Sequence, residues 1–188
     1  MSSRLFSRRL AAMSIAAACV VLPLAAASVS IRAQSVIPAT QPAKVRIGVY
    51  DGRSVALAHG RSTKVSEAQA KLAGEGRAAK AAGDTKRFEE IEAQMKMQQF
   101  TAHAQVFSNS PPTEAVEAIK PALERIAKEM RLAAIAERVD FQGAEVEAVD
   151  VTMELVKEFA PTPDTLKTVE ALRKAKPVNL YDATHHDD

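Results

Sequence analysis

Imidazole titrates near neutral pH and is the commonest metal ligand, and the chain carries four, at His59, His103, His185 and His186. His59 and His103 stand singly in stretches of helical pattern, with no second ligand in register and no Ser/His/Asp or Cys/His arrangement around them. The run THHDD offers His185, His186, Asp187 and Asp188, suitable donors for a divalent cation, yet adjacent residues impose no coordination geometry. GEG at residues 74–76 follows a helical stretch rather than a strand, the wrong context for a phosphate-cradling loop. No catalytic, metal or cofactor site is therefore expected, and the chain reads as a binding or structural protein rather than an enzyme.

The elements that would position any site begin after a segment of different character. MSSRLFSRRL carries Arg4, Arg8 and Arg9 without an acid, and residues 10–31 then run uncharged through LAAMSIAAACVVLPLAAASVSI. A basic stretch before an apolar, Ala-rich one with small residues at its exit is the pattern of a cleavable export signal. Cleavage after Ala33 is favoured over Ala27, which makes residues 1–33 the signal and the rest a periplasmic protein. An uncleaved anchor is the competing reading, because 22 uncharged residues could span a bilayer. Ala16, Ala17 and Ala18 before Cys19 only faintly resemble a lipoprotein signal, which would carry a larger aliphatic residue three positions before the cysteine. Cys19 is the single cysteine, so the exported part is expected to hold no disulfide.

Without residues 1–33 the 25 basic groups fall to 21, against 23 acidic ones, and the net charge changes from +2 to −2. The overall basic character belongs to the signal, so no global electrostatic case for nucleic acid or anionic lipid remains. About one domain of chain is left, poor in aromatics and without Trp, from which a large compact core is hard to build.

QSVIPATQPA, residues 34–43, reads as a Pro-containing linker. Residues 44–50 form the first strand, with Val45, Ile47 and Val49 on one face and a turn at Asp51 and Gly52. Ser54 is expected to cap one long helix that runs toward residue 82. Its apolar positions are sparse, and Gly60, Gly74 and Gly76 each cost about 1 kcal/mol relative to Ala, so it needs a partner. AGDTK supplies Gly83 as a C-cap and Asp84 or Thr85 as the next helix start. Phe88, Ile91, Met95, Ala102 and Val106 then recur as the stripe of a helix lying along another. Residues 53–107 are thus expected to form an antiparallel helical hairpin, an arm whose first limb is about 42 Å long at 1.5 Å per residue. Met97, Phe100, Ala104 and Phe107 lie off that stripe, and either widen the buried face or form an exposed apolar surface.

Pro111 and Pro112 end the arm. The helix expected over 113–131 places Val116, Ile119, Leu123, Ile126 and Met130 at alternating three-four spacing, a coiled-coil-like seam with a kink at Pro121. Core packing and an inter-subunit interface both explain that seam. LAAIAE from Leu132 and AEVEAV from Ala144 read as a strand pair over 132–149 around the turn DFQG. A helix follows over 150–160, with Asp150 or Thr152 as N-cap and Val151, Leu155, Val156 and Phe159 inward. A last helix from Pro163 or Asp164 to Lys174 turns Leu166, Val169 and Leu172 inward, and the segment 161–188 then frays. The fold class is α+β, mostly α: a small β body of about three short strands with a projecting helical hairpin.

VRIGVYDGRSV, the hairpin, AIKPALERIAKEM ahead of two strands and VDVTMELVKEF together resemble the Skp/OmpH family of periplasmic chaperones, over residues 44–160. The resemblance implies a homotrimer in which small β bodies assemble and helical arms enclose unfolded outer-membrane proteins. It would place Val45, Ile47, Val49, Val146 and Ala148 in the assembly body. Phe88, Met95, Met97, Phe100 and Phe107 would be client-binding positions on the arms. The arm is shorter than is typical of that family, and less basic. Lys71, Arg77, Lys80, Lys86 and Arg87 nevertheless form a basic arm tip that could meet acidic clients or anionic lipid, or be a solvated face. Residues 112–160 carry six basic against eleven acidic groups, which makes the molecule charge-polarised. Two functions are expected in competition: an exported, ATP-independent holdase for unfolded envelope proteins, and an envelope tether or scaffold that binds one fixed partner.

Overall fold

A computed structural model of the protein describes residues 44–184. The expected export signal, the linker and the donors His185–Asp188 lie outside the described residues. The described residues are mostly helical around a three-stranded sheet. β1 (Val45–Val49) is the central strand, between β2 (Ala134–Ala136) and β3 (Val146–Asp150), and both neighbours run parallel to it.

The strand pair expected over 132–149 is thereby corrected: β2 and β3 do not pair with each other, because β1 separates them. DFQG belongs to a longer connection, residues 137–145, with an extended reach of about 30 Å. That is enough to return the chain past β1, about 17 Å long, and lay β3 down in the same direction. The other crossover, residues 50–133, carries five helices, in keeping with the long connections that parallel strands require.

Register fixes the two faces of the sheet. Gly48 lies opposite Ile135 on one side and Val149 on the other, and Ile135 and Val149 pack on the core. A Cβ on Gly48 would meet the Leu132 side chain at 2.9 Å and that of Val151 at 3.2 Å, so this close approach requires glycine. Because side chains alternate along a strand, the rows on either side of Gly48 point the other way. That face holds Val45 opposite Val146, Ile47 opposite Ala134 and Ala148, and Val49 opposite Ala136 and Asp150.

The expected long helix from Ser54 is two helices, α1 (Gly52–Gly60) and α2 (Thr63–Ala81). The Arg61 amide closes α1 onto the Leu57 carbonyl at 3.1 Å. Ser62 is extended, and its hydroxyl accepts from the Val65 amide at 3.4 Å to open α2. The cap of α1 is Asp51 rather than Ser54: its carboxylate accepts from the Arg53 amide at 3.2 Å and from the Ser54 hydroxyl at 2.6 Å. Ser54, Val55, Ala56, Leu57 and Ala58 are all buried. α1 is thus the centre of the body and no part of an arm.

α3 (Thr85–Phe107) follows a turn in which Gly83 is left-handed, with the Asp84 carboxylate accepting from the Arg87 amide at 3.0 Å. Beyond Pro112 the expected single helix divides into α4 (Thr113–Ala118) and α5 (Lys120–Met130) at Ile119, which leaves helical geometry. Pro121 does not kink a helix but sits in the first turn of α5, where no amide donor is needed. The seam residues Ile119 and Ile126 are buried in the core, with Leu123 and Met130 packed against it.

α6 (Thr152–Lys157) has Val151 at its boundary, and the Asp150 carboxylate supplies the acceptor for the Thr152 amide at 2.9 Å. Val151, Leu155 and Val156 are fully buried, each side chain contributing about 1.5–3 kcal/mol. α7 (Pro163–Lys174) packs on α1 with Val169 and Leu172 inward. The segment after it does not fray throughout. The Val178 amide donates to the Phe107 carbonyl at 2.9 Å, and α8 (Leu180–Thr184) packs on α3.

Candidate functional site

Each strand leads into an acid at its carboxyl end: Asp51 after β1, Glu137 after β2 and Asp150 within β3. That edge of a parallel sheet is where α/β proteins gather ligands, but here the acids serve the fold. Asp51 caps α1, and Asp150 binds the Thr152 amide and pairs with Arg173. Glu137 lays its carboxyl group against Gly52. Burial, and then the Asp51 charge, push the Glu137 pKa up, against the pull of Arg138. For Asp150 burial acts upward, but hydrogen bonds from Thr152 and the charge of Arg173 hold the pKa below its ordinary value. Among the described residues no group of three or more His, Cys, Asp or Glu is placed to hold a metal ion.

The larger unfilled feature lies between α2 and α3. Near the turn the two helices touch: Ile91, 1% exposed, packs on Gly76, where a Cβ would come within 3.1 Å of it. Arg87 pairs with Glu75 at 3.1 Å, and the Lys80 ammonium lies 5.4 Å from the centre of the Phe88 ring. At its other end α3 packs on α1, with Ala104 buried. Between those two contacts is a partly open cleft of about 1170 Å³, lined also by residues from the end of α1 and from α4. Leu57, Val65, Leu72, Met97 and Val106 give it an apolar lining, and Gln69, Gln94 and Gln98 stand among them.

The expected arm stripe is therefore covered only in part. Ile91 is buried, but Met95 and Ala102 are exposed, because the break at Arg61 and Ser62 separates α2 from the helix that covers the base of α3. Of the expected client-binding residues, Met97, 64% exposed, and Phe107 line the cleft. Met95 lines a smaller hollow of about 310 Å³ beside it, and Phe100 is exposed but lines neither. Phe88 is half-buried near the turn under Lys80. The basic tip is corrected at one position: Lys71 lines the cleft, while Arg77, Lys80, Lys86 and Arg87 lie toward the turn. Arg87 is paired with both Glu75 and Glu90.

His59 and His103 both line this cleft. The His59 ring lies 5.4 Å from that of Phe159, and burial lowers its pKa, with Glu114 opposing and Lys64 adding to the effect. His103 stands edge-on to Phe107 at 5.6 Å. The glutamines carry no signal of their own in the sequence, because a solvated glutamine and one that faces a second helix look alike. The break that creates the cleft does carry one, since Gly60 followed by Ser62 is a helix stop and start.

The five residues expected in an assembly body occupy the rows of the sheet that point away from the core. Val45, Ile47 and Val49 of β1 lie beside Val146, Ala148 and Asp150 of β3 in turn, with Ala134 and Ala136 of β2 on the far side. Val45 and Ala148 are exposed and Ile47, Val49 and Val146 half-buried. Among the described residues no helix is long and apolar enough to cross a membrane. Comparison of the chain with protein-family models, curated proteins and solved structures finds no match.

Proposed function

We propose that this protein is an exported, ATP-independent holdase of the Skp/OmpH type, which shields apolar segments of unfolded outer-membrane or envelope proteins. In this reading α2 and α3 are a short antiparallel hairpin arm that projects from the body, and α1 stays in the body. The observation that carries it is the exposure of Met95, Met97, Phe100 and Phe107 on one long helix, beside an apolar-lined cleft. Large apolar side chains left uncovered in this way mark interaction surfaces. Methionine in particular adapts to partners of varied shape. Arg77 and Lys86, exposed near the turn, would meet acidic clients or an anionic membrane surface.

The outward rows of the sheet support self-assembly, with Val45, Ile47, Val49, Val146 and Ala148 as contacts of a homotrimer. The same rows also favour the second reading, a tether or scaffold with one fixed partner seated on the sheet. Dilution of a urea-unfolded outer-membrane β-barrel protein into buffer with micromolar protein separates the two. A holdase delays aggregation of several unrelated clients, whereas a tether delays none and forms one stoichiometric complex. Sedimentation at several concentrations checks the assembly: a stable trimer is expected, and a monomer throughout removes the enclosed-cavity mechanism.

A further inference from the structure

We propose that the cleft between α2 and α3 binds one extended, amphipathic polypeptide segment in which apolar and polar residues alternate, in preference to a continuous apolar run. The proposal rests on the holdase reading and names the part of a client that the protein takes. The α3 wall runs from Gln94 to Phe107, about 20 Å at 1.5 Å per residue. That length accommodates about six residues of extended chain. A volume of about 1170 Å³ exceeds the range of about 300–1,000 Å³ usual for small-molecule sites.

The shape selects the pattern. The cleft is partly open to solvent, so an occupant keeps part of its surface in water. Successive side chains of a strand point to opposite sides. An alternating segment can therefore set its apolar residues on Leu57, Val65, Leu72, Met97 and Val106 and leave its polar ones solvated. A uniformly apolar segment would gain the same lining and leave its other face exposed.

The main chain of such a segment also needs partners. The side-chain amides of Gln69, Gln94 and Gln98, all exposed, make no hydrogen bond with other described residues. Each amide offers both donors and an acceptor, which matches the N–H and C=O groups of a strand that enters the cleft. Lys64 and Lys71 on the α2 side, with Glu114 and Glu117 at the α4 end, give the rim charges of both signs for the polar residues.

The test uses two fluorescent peptides of identical composition, one alternating and one with its apolar residues in a block. Each is titrated against the wild-type protein and three variants. Ala68→Trp and Ala102→Trp fill the cleft from exposed positions, and Ala93→Trp adds the same bulk on α3 outside it. The alternating peptide is expected to bind wild type and Ala93→Trp alike. It should bind at least about tenfold tighter than the block peptide and lose at least about tenfold in both filled variants. Equal binding of the two peptides, no binding of either, or unchanged binding by both filled variants would overturn the proposal. Aggregation assays on the same proteins keep the two readings apart. If wild type and both filled variants delay aggregation equally, the cleft assignment is lost and the holdase stands. If none delays aggregation while the alternating peptide still binds in the cleft, the holdase reading is lost and the cleft assignment stands.

Discussion

α1 and the α2–α3 pair differ in what covers them. α1 has six of its nine residues buried, whereas α2 buries only Gly76 and Ala79 of nineteen and α3 only Ile91 and Ala104 of twenty-three. Tertiary burial rather than helix propensity supplies most helix stability in proteins. Burial is thus concentrated in the body, and α2 and α3 are held by their own hydrogen bonds plus contacts at each end. Regions with few buried contacts open at lower free energy than the core. The difference places stability in one region and an adaptable surface in the other.

The largest expected effect falls in the body. Leu155→Ala removes a side chain that is fully buried between α6 and the core. It should cost about 2–5 kcal/mol, seen as a lower urea midpoint with an unchanged slope. If its cost is no larger than that of a substitution on the exposed surface of α2 or α3, the body is not the stabilising unit.

Ile91→Ala sharpens the contrast, because Ile91 is as buried as Leu155 but lies on α3. The same loss of about 2–5 kcal/mol is expected to act locally. Amide exchange of α2 and of the first half of α3 should quicken while α1 and β1 stay protected. A uniform loss of protection would show that the pair and the body unfold together.

Asp51→Ala is third. It removes the acceptor of the Arg53 amide and the Ser54 hydroxyl at the start of α1, at a cost of about 1 kcal/mol, read by thermal unfolding. Loss of the Glu75 and Glu90 pairs in Arg87→Ala, on the exposed surface of α2 and α3, should cost less than that, since exposed pairs contribute about 0–1 kcal/mol.

The same contrast explains what is legible in the sequence. β1 is readable because Val45, Ile47 and Val49 alternate, and the Gly83–Asp84 junction because capping chemistry is local. Val151, Leu155, Val156 and Phe159 declare the inner side of α6 by their spacing. Strand direction is not readable. AIA at β2 has no sense of its own, and only the reach of residues 137–145 and the central place of β1 decide it. The local stop-and-start signal of Gly60 and Ser62 is present but outweighed, because Val55, Ala58 and Val65 carry a helical pattern across it. The cleft is invisible in one dimension, since it arises where α2 and α3 face each other between contacts that lie far apart in the chain.

The smallest expected effect sits at the junction of the two regions. His59 belongs to the last turn of α1 and also lines the cleft. Burial lowers its pKa from 6.5, Glu114 across the cleft raises it, and Lys64 on α2 lowers it further. A lowered pKa means that the folded state binds this proton less well than the unfolded chain. Its contribution to stability is therefore present above about pH 6.5 and is lost as the pH falls through the folded-state value. Glu137 has the opposite sense: its raised pKa favours the folded state at low pH, and that gain is lost as the pH rises through its folded value. Both proteins in a comparison of wild type with His59→Gln keep Glu137, so the difference between them isolates the imidazole. Between about pH 7.5 and about pH 5.5, the midpoint of thermal unfolding should fall further in wild type than in His59→Gln. An equal fall in both would mean that the ring is as free to take up a proton in the folded protein as in the unfolded chain, and that the cleft wall at His59 is as wet as the exposed surface of α3.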